Sequence, residues 1–149
     1  MNKYLFATLL LGLGSQAWAY GEAGHWSSGW GQGTSEYTAV VDAKNNLYIA
    51  CNDIKKVAMT ATVNGKEYGS YSEQGFAIEV DGTHYDTPYE TESRVGENNF
   101  FDMWDKMRKA QTITVITADG QKLNVPTKDA ASVLPATKSQ EFDCLMWNE

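Results

Sequence analysis

VAMTATVNGKEYGSYS, residues 57–72, decides how the rest of the chain is read. Val57, Met59, Ala61 and Val63 alternate with Ala58, Thr60 and Thr62, the period of a strand that buries one face and wets the other. Asn64-Gly65 follows at once, and both residue types tolerate the positive φ that a two-residue hairpin turn demands at its centre. Residues 66–72 then return alongside. The stretch predicts a β-hairpin, with no helical spacing to compete with it.

The same grammar extends in both directions. Upstream, residues 36–41 and 47–51 read as two strands around a polar turn at 43–46. Downstream, residues 76–80 run into Asp81-Gly82 and return over 83–87. Residues 112–116 run towards Asp119-Gly120 and return over 121–125. The unequal spacing of these turns argues for separate hairpins, not a repeat. One segment breaks the pattern: at 98–110, Phe100, Trp104 and Met107 share one face of a helix, with Phe101 and Met103 as candidates to widen it. Asn98 or Asn99 can cap it, and Arg108 and Lys109 lie where the helix dipole favours cations. A shorter helical turn is predicted over 128–134, stopped by Pro135. The expected fold is mainly β, an antiparallel β-sandwich or partly open barrel of hairpins, with one α-helix (about 98–110) packed on it.

The chain opens MNKYLFATLLLGLGSQAWA. A lysine, a short apolar run and Ala17-Trp18-Ala19 have the form of a cleaved secretory signal, and the run is too short to span a bilayer. The expected organisation is a signal peptide at 1–19, a Gly/Trp-rich N-terminal arm at 20–35 and a single β-rich domain at 36–149. Removing residues 1–19 leaves 130 residues, enough for one real core. Of 12 cations it removes Lys3, leaving 11 against 19 acids, so the net charge moves from −7 to −8. That acidity argues against nucleic acid and anionic membranes as partners; it is compatible with a cationic protein partner, and equally with net charge that keeps a secreted protein soluble. Cys51 and Cys144, in an exported chain, are expected to pair. The bond would close a loop of about ninety residues, worth about 4–5 kcal/mol in the chain-entropy model. The expected location is periplasmic or secreted.

Catalytic signatures are missing from the sequence. It has no nucleophile-elbow serine, no phosphate-cradling glycine loop and no His-x-x-x-His pair. His25 and His84 are its only histidines. Neither a catalytic residue, a metal site nor a cofactor is therefore expected. The carboxylates are plentiful, but no spacing singles out a glycosidase pair.

Two segments carry candidate binding chemistry. The first, THYDTPYETESRVGENN at 83–99, brings His84, Tyr85, Asp86, Tyr89, Glu90, Glu92 and Arg94 into one long polar connection between strand and helix. Loops so placed often bind partners, and tyrosine and arginine are favoured anchors, although the same composition serves an ordinary connection. The second, GHWSSGWGQG at 24–33, holds Trp26 and Trp30 four residues apart, on one face of an extended chain. These indoles could stack on a sugar, or pack over the sheet as part of an irregular arm.

The order of elements is similar to that of the invasion-associated locus B family of exported bacterial proteins. Residues 47–51 with Cys51, the run 99–104, the strand 110–115, Asp119-Gly120 and the final Cys144 carry the resemblance. It implies a non-enzymatic envelope role and assigns no functional residue. The function expected from the chain is protein–protein binding, such as inhibition of, or immunity to, a cationic envelope enzyme. The alternative is a carbohydrate- or peptidoglycan-binding module using Trp26 and Trp30.

Overall fold

The computed structural model describes residues 21–144, and the expected signal peptide lies outside them. Among the described residues, nine strands form two antiparallel sheets, with no closed barrel. The first sheet runs β1–β2–β3–β4–β5 in order: β1 (Trp26–Gly31), β2 (Thr34–Asp42), β3 (Asn45–Asn52), β4 (Ala58–Val63) and β5 (Lys66–Gly69). The second comprises β6 (Phe76–Val80), β7 (Thr83–Tyr85), β8 (Ile113–Thr117) and β9 (Lys122–Val125), in the order β7–β6–β8–β9.

Period-two patterning becomes a core where the two sheets face each other. From the first sheet come Ala39, Leu47, Ile49, Met59, Ala61 and Tyr68; Ile78, Val80, Ile113 and Val115 answer from the second, all at most 1 % exposed. Asn64 and Gly65 both adopt positive φ, 52° and 80°, as the hairpin reading of that turn requires. Asp81-Gly82 does likewise, at 45° and 83°. The third turn differs. Only Gly120 is left-handed there, and Thr117 clamps it by donating its hydroxyl to Asp119 and accepting the Gln121 amide at 2.8 Å.

Helix α1 spans Arg94–Met107, starting four residues before the expected boundary and stopping three before the expected end. Its cap is Ser93, whose hydroxyl accepts the Gly96 amide at 3.0 Å, not Asn98 or Asn99. Phe100, Met103, Trp104 and Met107 form the buried face, as the spacing predicts. Trp104 meets Tyr37 of β2 edge-on at 5.2 Å and donates its indole N–H to Pro135 at 2.7 Å. The short helix α2 occupies Ala130–Val133, inside the predicted helical turn.

The segment expected as an irregular arm is a strand of the domain. β1 pairs with β2 from Trp26↔Ala39 to Gly31↔Thr34, through a turn in which Gln32 and Gly33 are both left-handed. Asn52 holds that turn, donating from Nδ2 to the Gly33 carbonyl at 2.7 Å and to the Thr34 hydroxyl at 3.0 Å. Glycine content suggested looseness, but two-residue turn chemistry and an in-register partner outweigh it. The domain therefore begins before residue 36. A disulfide joins Cys51, near the end of β3, to Cys144 across 93 positions. Among the described residues, no helix is long and apolar enough to cross a membrane.

Candidate functional site

The connection from β7 to α1 sorts its seven candidate residues by direction. Tyr85 turns inward, 6 % exposed, and donates its hydroxyl to Asp102 on α1 in a short hydrogen bond. Lys106 also donates to Asp102, at 2.9 Å, completing a tie between β7 and the helix. The tyrosine hydroxyl and Lys106 hold the Asp102 carboxyl below its ordinary range, while burial and that carboxylate push the Tyr85 phenol up. Tyr89 is half-buried against Phe76 at 5.2 Å. Its hydroxyl lies only 2.3 Å from where a Cβ on Gly75 would sit, so the glycine makes room for it. Burial raises this phenol too. Both tyrosines thus help to build the loop, and Tyr89 also lines the cleft beside it.

The other five face solvent. His84 pairs with Asp86 at 3.0 Å, Glu92 with Lys56 at 3.2 Å, and Glu90 and Arg94 are exposed. Between this loop and the β5–β6 connection opens a cleft of about 660 Å³, whose charged lining is Glu73, Glu90, Glu92 and Lys56. Three carboxylates against one ammonium leave it negative. Glu73 belongs to this constellation, and sequence reading missed it because it lies on a different connection.

The tryptophans separate. Trp26 is 1 % exposed and donates its indole N–H to the Pro126 carbonyl at 2.8 Å, so it belongs to the core and offers no face to a ligand. Trp30 is 74 % exposed. It borders a groove of about 410 Å³ with Ser28, Ser35, Tyr37, Pro135 and Glu141. Ser35 donates to Asp143 Oδ2 at 2.6 Å, while Oδ1 of that carboxylate is buried with no partner among the described residues. Burial, and then the Asp143 charge, raise the Tyr37 phenol.

The face of the five-stranded sheet that no other described residue covers is a further site that sequence reading missed. A depression of about 380 Å³ there is lined by Thr38, Tyr48, Thr60, Thr62, Glu67 and Tyr71, among others. Tyr48 donates to Glu36 at 2.6 Å, and Tyr71 is 77 % exposed. The alternation that predicted the strands also implied this polar face, but not that it would be left uncovered.

Among the described residues, Cys51, Asp143 and Cys144 form a close group of ligand-type side chains, and its two sulfurs are joined to each other. A family model described as YfjT matches residues 24–134, in place of the invasion-associated locus B group that the layout resembles. Its first residue falls two before β1, in agreement with β1 being part of the domain. No curated protein matches the chain, and no solved structure does.

Proposed function

The chain belongs to the YfjT family, and we propose that this member is an exported binding protein, without catalytic activity, that captures a basic protein such as a cationic envelope enzyme. The observation that carries the reading is the cleft between the two connections, where Glu73, Glu90 and Glu92 face Lys56 alone. Asp86 adds a further exposed carboxylate, on the same loop as Glu90 and Glu92. A net charge of −7 supplies the long-range attraction that speeds encounter with a basic surface. Rigidity supports the role as well. Tyr85, Asp102, Tyr89 and Ser93 hold the loop in place, so little ordering cost falls on binding. The disulfide suits an oxidising compartment, periplasmic or extracellular.

The test uses a basic lysozyme as probe, immobilised, with the disulfide-bonded protein flowed over it at rising salt. The reading expects association that weakens steeply with ionic strength and is lost in Glu73→Lys/Glu90→Lys/Glu92→Lys. Retention that ignores both salt and charge reversal would count against it.

A glycan reading keeps one specific support, and it has moved. With Trp26 buried, a two-indole platform is closed, but the open sheet face offers the rings of Tyr48 and Tyr71 among threonine hydroxyls. Binding of neutral glycans on an array, abolished by Tyr71→Ala, would favour this second reading over the first.

A further inference from the structure

The backbone of β1 has an outer edge that is tied at one end and open at the other. The Trp26 amide turns away from β2 and donates to the Lys128 carbonyl at 2.9 Å. Strand backbones alternate, so Ser28 and Trp30 also direct their N–H and C=O groups away from β2. Neither has a backbone partner there among the described residues. Residues 28–31 are all exposed.

Edge strands are usually protected by charge, proline or a bulge. The other three edges here carry charge or a titratable side chain: Lys66 and Glu67 on β5, His84 on β7, Lys122 on β9. β1 reads WSSGWG and carries none of these devices. It instead presents Trp30, 74 % exposed, a residue type that dominates interface energetics. Beside it lies the groove walled by Tyr37 and Pro135, with Glu141 in its lining and Asp143 behind Ser35. That lining has no Lys, Arg or His.

We propose that residues 28–31 of β1 accept an extended peptide from a basic partner protein as a sixth strand of the sheet. Four backbone groups, those of Ser28 and Trp30, would pair with it. Trp30 would cover one peptide side chain, and a lysine or arginine of the peptide would sit in the groove near Glu141. Charge decides against a second copy of this chain, which would bring acid to acid. The site is distinct from the acidic cleft and stands whether or not that cleft binds.

The test pans a random octapeptide display library against the whole disulfide-bonded protein, then measures a recovered peptide by calorimetry and amide exchange. Ser28→Pro removes an N–H that the fold leaves unpaired, so the β1–β2 ladder stays intact while an added strand is blocked. Expected are basic, extended peptides that slow exchange at the Ser28 and Trp30 amides. Their affinity should fall at least tenfold in Ser28→Pro and in Trp30→Ala, both of which keep the wild-type unfolding midpoint. Enrichment of no peptide, or equal affinity for Ser28→Pro, overturns the proposal. So does a wild-type dimer in sedimentation that Ser28→Pro dissolves, since the edge would then belong to a second copy.

Discussion

Trp26 and Trp30 lie on the same side of one strand and have opposite fates, and cross-strand partners explain why. Trp26 sits opposite Ala39, which is fully buried, and Trp30 opposite Ser35, which is only half-buried. Trp26→Ala is expected to cost about 3–5 kcal/mol in urea unfolding, with Trp30→Ala within about 0.5 kcal/mol of wild type. The spacing of the two rings was legible in the sequence. Which one is buried was not, because that depends on the segment after β9, whose Pro126 and Lys128 carbonyls hold Trp26. Asp119 gives a pH signature at the same scale. The Thr117 hydroxyl, then the Tyr68 hydroxyl and Lys66, pull its carboxyl from 3.8 to about 2. A depressed carboxyl stabilises the fold above its unfolded pKa, and that stabilisation is lost as pH falls through about 2. Asp119→Asn is therefore expected to be less stable than wild type at neutral pH, with the gap closing in acid-unfolding titrations as pH drops from about 4 to about 2.

Hairpins were the most legible elements, since alternation and Asn-Gly or Asp-Gly turns state strand and turn together. Helix α1 was legible by its apolar face but not by its start. Gly96, a poor helix former, sits in its first turn and is required there: a Cβ on it would stand 2.1 Å from the Glu90 carbonyl oxygen. Gly96→Ala is accordingly expected to destabilise the protein by about 1–3 kcal/mol, as overpacking does, although alanine is the better helix former. Thermal unfolding of that variant decides between packing and propensity, since a raised midpoint would mean the loop yields. β1 was hidden for a related reason. Its glycines and serines resemble a linker, and only the Gln32-Gly33 turn signalled that the strand folds back onto β2. The candidate loop was legible as a polar connection, while the inward turn of Tyr85 and Tyr89 depends on α1 and β6 packing beneath it.

Across the whole molecule, one covalent bond and one charge imbalance matter most. The disulfide ties β3 to residue 144 and closes most of the domain into a loop. Replacing both cysteines by serine is expected to remove about 4–5 kcal/mol of stability, with reductant lowering the wild-type denaturation midpoint and leaving the variant's unchanged. Cysteine count and the expectation of an exported chain made this bond legible. The acid-lined cleft was only half legible, because its walls come from connections about fifteen residues apart that the sheet topology brings together. That cleft carries the central claim, capture of a basic partner, and the most direct measurement is an envelope pull-down at stepped salt read by mass spectrometry. Wild-type protein is expected to retain a basic protein at low salt and release it as salt rises, with none retained by Glu73→Lys/Glu90→Lys/Glu92→Lys. Recovery of the same partner by that variant, undiminished across the salt series, would contradict the account.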